Sequence, residues 1–214
     1  MKRPTITVVT PWWNHRELER NYWNALRSEE CEVIVVDNGS DPPLPNAWRL
    51  NDNTGFSHAS NVGLQLARTD AVLFLNNDVV ATKPGWLEPI RDSLEPGVLV
   101  GPVIRYDHHG GVDDHSLPYL DGWCLAGMRE DLLDLGGFDE EYEEPSYYSD
   151  NDLSFRARCA GMTLREARTS IGHLASQTSG GVVSPGVKRT FDANYELFAT
   201  RVRELMRTPE LVGA

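Results

Sequence analysis

Three short apolar runs, each stopping abruptly at polar residues, constrain this chain more than anything else in it. Thr5 to Thr10 is rich in β-branched residues, and Glu32-Val33-Ile34-Val35-Val36-Asp37 and Ala71-Val72-Leu73-Phe74-Leu75 repeat the pattern. Such runs read as buried parallel strands. Between the first two, His15 to Arg27 carries Leu18, Tyr22, Ala25 and Leu26 near helical spacing; between the second and third, Ala59 to Ala67 carries Val62, Leu66 and Ala67. Strand and helix alternate, which predicts an α/β sheet whose ligands bind at the carboxyl ends of its strands. Those ends carry Thr10-Pro11-Trp12-Trp13-Asn14, Asp37-Asn38-Gly39-Ser40 and Asn76-Asn77-Asp78. Each alone is also ordinary turn chemistry. If the strands are parallel neighbours, the three converge on one rim.

Beyond residue 84 the pattern loosens. It predicts a helix over Trp86 to Ser93, a strand over Val98 to Ile104, and a loop or lid over Tyr106 to Asp121. Helices follow that end at Gly136-Gly137 and, from near Leu153, at Gly161, both plausible C-caps. Phe191, Tyr195, Phe198, Val202 and Leu205 form a helical stripe within Thr190 to Arg207 that suits packing on the body. A chain of 214 residues, 40% hydrophobic, builds one core without disulfides or a structural metal, so residues 1–214 read as a single domain. The formal charge of −12 disfavours nucleic acid and anionic membrane surfaces as partners. Cys31, Cys124 and Cys159 fit no zinc pattern and suit a reducing compartment. No run approaches the ~20 apolar residues that span a bilayer. The start Met1-Lys2-Arg3 leads into an apolar run too short for a signal peptide, so the expected location is cytoplasmic.

Several ordered motifs resemble family 2 of the nucleotide-sugar glycosyltransferases, of GT-A fold, especially the rhamnosyltransferase-like branch. They are Val8-Val9-Thr10-Pro11-Trp12-Trp13-Asn14; Val35-Val36-Asp37-Asn38-Gly39-Ser40; Asn53-Thr54-Gly55-Phe56 with Asn61-Val62-Gly63; Leu75-Asn76-Asn77-Asp78, where the family has its DXD; Gly136-Gly137-Phe138-Asp139-Glu140; and Asp150-Asn151-Asp152-Leu153-Ser154-Phe155-Arg156. The first Asp of DXD is Asn76 here, and the Glu usual before the catalytic Asp is Ser149. The resemblance implies a Rossmann-like, mostly parallel sheet with a nucleotide half over about 1–80 and an acceptor and catalytic half over about 81–214. It implies an inverting transfer of a hexosyl or deoxyhexosyl group from a nucleoside diphosphate sugar to a glycan, lipid-linked, protein or small-molecule acceptor.

The resemblance gives nucleotide contacts to Thr10, Pro11, Trp12, Trp13, Asp37, Asn53, Gly55, Asn61, Asn76 and Asn77, with one tryptophan stacked on the base and the other packed. Asp78, with His173 from Gly172-His173-Leu174-Ala175-Ser176, would hold Mg²⁺ or Mn²⁺; alternatively His173 only caps a strand. A divalent cation makes chemical sense there, because a nucleoside diphosphate leaves only when its developing charge is neutralised. Asp150 is the expected general base, with an N-cap of the following helix as the bland reading. Asp152 is expected to do more of the capping, with Arg156 one turn on as a partner. Trp123, Gly137, Asp139, Ser149 and Asp152 are assigned to the acceptor side or to supporting roles. The cluster His108, His109, Asp113, Asp114 and His115 reads as a solvated or acceptor-facing loop, and Lys188-Arg189 as an exposed basic pair before a phosphate clamp. Two other readings remain: a non-catalytic nucleotide-sugar or glycan-binding protein, kept open by Asn76 and Ser149, and a nucleotidyltransferase, disfavoured because residues 10–16 lack a Gly-rich basic loop.

Overall fold

The computed structural model describes residues 3–106, 111–174 and 185–207. The first part of the chain runs β1 (Ile6–Trp12), a 3-10 turn (Arg16–Leu18), α1 (Glu19–Leu26), β2 (Glu32–Asn38), β3 (Trp48–Leu50), α2 (Phe56–Leu66) and β4 (Ala71–Leu75). Then come β5 (Val79–Ala81), α3 (Glu88–Ser93), β6 (Val98–Gly101), β7 (Ile104–Arg105), β8 (Gly111–Val112), β9 (His115–Ser116), β10 (Tyr119–Leu120) and β11 (Cys124–Met128). The remainder is α4 (Arg129–Asp134), α5 (Ser149–Cys159), β12 (Thr163–Glu166), β13 (Ile171–His173) and α6 (Pro185–Met206). Among the described residues no helix is long and apolar enough to cross a membrane.

One seven-stranded sheet, in the order β12-β6-β11-β4-β1-β2-β3, organises the molecule. It is mostly parallel, as expected; β11 alone runs against both neighbours. Strand β4 accounts for the architecture in five residues. Ala71, Leu73 and Leu75 point into the core shared with α1 and α3, while Val72 and Phe74 point into the core under α2, α4 and α5, and all five are fully buried. A strand apolar on both faces demands cover on both, hence helix layers above and below. A third cluster joins α5 to α6 through Tyr148, Phe155, Phe198 and Val202, so the C-terminal stripe packs on the body.

Three sequence expectations need correction, and one strand was missed. The run Val98 to Ile104 is two strands, because Pro102 has no N–H for the ladder and the chain leaves the main sheet there. The helix expected near Leu153 starts four residues earlier, at Ser149, so Asp150 and Asp152 both lie in its first turn. Tyr106 to Asp121 is not simply a loop: β8 pairs with β9, and β10 with β7. Asp113 and Asp114 adopt positive φ in the β8–β9 turn, as two-residue hairpins require. Asp113 accepts two hydrogen bonds of 2.7 Å from Arg203, which ties this ribbon to α6; His108 and His109 lie outside the described residues. Finally, β11 had no signal, since Cys124-Leu-Ala-Gly-Met contains no β-branched residue. Lys188 pairs with Asp192 at 2.7 Å on the exposed face of α6, in keeping with an exposed basic pair.

The close seat of α2 on the sheet depends on Gly63, where a Cβ would overlap the Val9 side chain. Alanine is the better helix former by about 1 kcal/mol, yet overpacking a full core costs about 1 to 3 kcal/mol. Gly63→Ala is therefore expected to lower the denaturant midpoint; an unchanged or higher midpoint would show that helix and strand have room to separate.

Candidate active site

Because β4, β1 and β2 are adjacent and parallel, their polar carboxyl ends meet, as the alternating pattern predicts. They form one wall of a cleft of about 900 Å³. Pro11, Trp12 and Trp13 come from the end of β1, Asn38 from β2, Asn53 from the loop before α2, and Asn76, Asn77 and Asp78 from the loop after β4. The opposite wall comprises Asp121, Gly122 and Trp123 before β11, Ser149 and Asp150 at the start of α5, and His173 at the end of β13.

The two tryptophans divide as the alternation of a strand requires. Trp12 is 1% exposed and packs edge-to-face on Tyr22 with centroids 5.2 Å apart, whereas Trp13 is 38% exposed on the cleft. Of the two, Trp13 is the one exposed to a ligand.

Antiparallel pairing of β13 with β5 sets His173 opposite Val79. It brings His173 Nε2 to 2.8 Å from Asp78 Oδ1 and 3.2 Å from Asn76 Nδ2. The Leu174 N–H donates to the Asp78 carbonyl, and the Trp123 indole stacks on the imidazole at 5.1 Å with planes 2° apart. Among the described residues no group of three His, Cys, Asp or Glu gathers. One carboxylate and one imidazole, with an amide beside them, still suit a hard divalent cation that keeps most of its shell for water and substrate oxygens.

Asp150 stands in the first turn of α5, but Tyr148 occupies the cap position and no side chain caps the helix. Its Oδ1 accepts from the Asn151 N–H at 3.0 Å and its Oδ2 from the Gly122 N–H at 2.8 Å. Burial raises its pKa to about 6; the Gly122 hydrogen bond opposes that rise and the Asp121 charge adds to it. A carboxyl group titrating near neutrality is suited to taking up a proton. Asp121 in turn accepts from Arg105 Nε at 2.9 Å and from Trp123 Nε1 at 3.3 Å.

Several expected contacts lie off the cleft wall. Asp37 is fully buried, its oxygens accepting from the N–H groups of Ser40 and Leu44 at 2.9 Å each and from Arg49 at 2.5 Å. Burial opposes its ionisation, but the hydrogen bonds from Ser40, Leu44 and Arg49 prevail and hold it below the usual carboxylate value. It braces the loop after β2. Thr10 bonds to Tyr22 in the core. Asn61 donates to the Phe138 carbonyl and to Glu140, and accepts from the Phe138 N–H, pinning α2 to the Gly137-Phe138 turn where a Gly137 side chain would strike Asn61. Asp139 pairs with Arg201 at 2.6 Å. Asp152 does not cap α5; it pairs with Arg156 at 2.7 Å, the partner expected, and lies 3.7 Å from Arg201. Gly55 sits just behind the wall, its carbonyl accepting from Asn38.

The sequence reading passed over Asn38, Arg105, Asp121, Gly122, Glu144 and Tyr147, all on the cleft. Asn38 was legible, since it sits inside the Asp37-Asn38-Gly39-Ser40 strand end; its side chain holds Asn53, Thr54 and Gly55 in place. Glu144 had no signal, because its carboxylate reaches the Phe56 N–H at 2.7 Å across 88 residues of chain.

The sheet order and a cleft at the strand ends make this a GT-A fold, and solved glycosyltransferases share it. A mannosyltransferase from Pyrobaculum calidifontis, solved with GDP-Man and Mn²⁺, superposes with a TM-score of 0.63 at 16% identity over 100% of this chain and 77% of that one. GalNAc-T7, solved with UDP, GalNAc and Mn²⁺, gives 0.59 at 15% identity over 91% and 50%. The chain belongs to glycosyl transferase family 2, whose model matches residues 7–158. It is 29% identical over 195 residues to a pre-mycofactocin glycosyltransferase of Mycobacterium tuberculosis, covering 75% of this chain and 40% of that protein. With polypeptide N-acetylgalactosaminyltransferase 8 of Drosophila melanogaster it shares 25% over 236 residues, covering 81% and 38%. The chain thus spans about two fifths of the length of these relatives.

Proposed function

We propose that this chain transfers a hexosyl or deoxyhexosyl group from a nucleoside diphosphate sugar to an acceptor hydroxyl, with inversion at the anomeric carbon. The observation that carries this reading is Asp150, a partly buried carboxylate with its pKa raised to about 6, in the same cleft as the Asp78/His173 pair. Residues of about 1–80 form the nucleotide half, with Trp13 as the stacking face for the base, and about 81–214 the acceptor and catalytic half. Asp78 and His173, with Asn76 beside them, would hold Mg²⁺ or Mn²⁺, which when bound supplies positive charge for the leaving diphosphate. Asp150 takes the proton from the acceptor hydroxyl while that oxygen attacks opposite the diphosphate, and its burial keeps it a strong enough base at neutral pH.

A panel of nucleoside diphosphate sugars, screened for thermal stabilisation and then for hydrolysis or transfer with Mg²⁺ or Mn²⁺, tests the class, since a ligand of the folded state raises apparent stability. At least one donor is expected to raise the melting temperature and to be turned over. Silence across the panel would refute the reading. Trp13→Ala is expected to weaken nucleoside diphosphate binding by roughly 1 to 3 kcal/mol, the scale of aromatic stacking on a base. Calorimetric affinity equal to that of the native protein would put the base elsewhere. Asp37→Ala is not a clean probe of the same contact, because it removes a buried carboxylate that three hydrogen-bond donors share.

A further inference from the structure

The segment Asp121-Gly122-Trp123 lies between the two chemical groups of the cleft. Trp123 stacks on His173, and Gly122 touches Asp150. We infer that Gly122 is the positioning residue for the Asp150 carboxylate, acting through its N–H and through its lack of a side chain; the inference rests on the base assignment made above.

Three observations carry it. The Gly122 N–H donates to Asp150 Oδ2 at 2.8 Å, while Oδ1 is held by the Asn151 N–H of its own helix at 3.0 Å. The carboxylate is thereby fixed from two elements that approach it from different directions. A Cβ built on Gly122 would stand 3.2 Å from Asp150 Cβ, 3.5 Å from Oδ2 and 3.7 Å from Cγ, so its three nearest neighbours are all atoms of Asp150. The backbone of Gly122 is not in the positive-φ region. Chain geometry therefore does not call for glycine here, and what does is the close approach to this one side chain. The tight turn at this point is closed by the Cys124 N–H donating to the Asp121 carbonyl, a bond that any residue at 122 permits.

Among the described residues, the charge that acts most on Asp150 is that of Asp121. On the same segment stands Asp121, whose charge raises the Asp150 pKa, and behind it is its partner Arg105 on β7. On α5, Asp152 is turned to Arg156 and Arg201. The Gly122 N–H stabilises the ionised form against burial and Asp121. A methyl group at 122 would push the carboxylate aside by a few tenths of an ångström and lengthen that hydrogen bond.

The experiment is a kinetic cycle. Gly122→Ala is expected to lower kcat about 10-fold, a fraction of the ~10²-fold that an error of 1 Å can cost, and Gly122→Val by more. Donor affinity should be unchanged in both, and the acid limb of the pH–rate profile should move upward. In an Asp150→Asn background, Gly122→Ala should cost nothing further. If Asp150→Asn abolishes transfer while Gly122→Ala leaves kcat and the acid limb unchanged, the inference fails and the base assignment stands. If Asp150→Asn itself keeps native turnover, the base assignment is what fails. A second measurement needs no substitution at 122: the Gly122 amide resonance should titrate with the midpoint of the Asp150 carboxyl and lose that titration in Asp150→Asn. An amide insensitive to Asp150 would overturn the inference even if the Gly122 variants do not fold.

Discussion

Replacing Asp150 by asparagine is expected to make the protein slower and sturdier at once. A positioned base contributes about 10² to 10⁴ in rate, so Asp150→Asn should lose transfer by a factor in that range while keeping donor and metal affinity. Native turnover should fall as pH drops below about 6, where Asp150 takes up its proton. The stability effect follows from the direction of the same shift. The folded pKa of about 6 lies above the usual 3.8, so between those values the folded state holds more protons than the unfolded chain. Folding stability therefore declines as pH rises through that window, and at neutrality the buried charge costs on the order of 1 to 3 kcal/mol. Asparagine removes that cost, and its melting temperature at pH 7 should exceed that of the native protein but not at pH 4. Near-native transfer by a folded Asp150→Asn protein would move the search for the base to Asp121, which lies on the same cleft. An unchanged pH dependence of stability would refute the buried-charge argument alone.

The second large effect is expected at Asp78. Its side chain is 3% exposed and meets His173 at 2.8 Å, so Asp78→Ala leaves the imidazole without the carboxylate that would share a cation with it. Transfer should fall by at least about 10²-fold, the scale on which loss of a single charge-stabilising group acts. Mn²⁺-dependent binding of nucleoside diphosphate, followed calorimetrically, should disappear with it. The Leu174 bond to the Asp78 carbonyl and the Trp123 stack on His173 do not involve the carboxylate, so the local strand pairing should persist. Full transfer in the presence of a chelator would remove the cation from the mechanism.

What the sequence made legible was whatever a short window contains. The strands β1, β2 and β4 announce themselves by β-branched or continuous apolar runs, and a parallel strand delivers its polar end to the rim directly after its apolar run. Pro11, Trp13, Asn76 and Asp78 could therefore be found without knowing any pairing. Strand β11 defeats that logic twice. It carries no β-branched residue, and because it runs antiparallel it presents to the cleft the residues that precede it, Asp121, Gly122 and Trp123. Helix α5 was misjudged at its start because Ser149, Asn151 and Asp152 are polar yet buried. Asp37, Asn61 and Asp139 are motif residues whose side chains bond to Arg49, to Phe138 and to Arg201, partners that no local pattern reveals. His173 reaches Asp78 only through the β5–β13 pairing, 95 positions apart in the chain, so only the resemblance pointed to it.

The direction of β11 also sets where this frame tolerates changes in length. Its register against β4 pairs Cys124 with Leu75, and successive residues of a strand face opposite sides, so a one-residue insertion or deletion between Gly122 and Cys124 would turn Trp123 off His173 and withdraw Gly122 from Asp150 together. The β8–β9 hairpin upstream is under no such restriction, since it is anchored to α6 through Asp113 and Arg203 rather than to the main sheet. Changes of length in the β8–β9 turn are accordingly expected to leave the cleft in place, whereas changes among the five residues that follow Leu120 are expected to disrupt it.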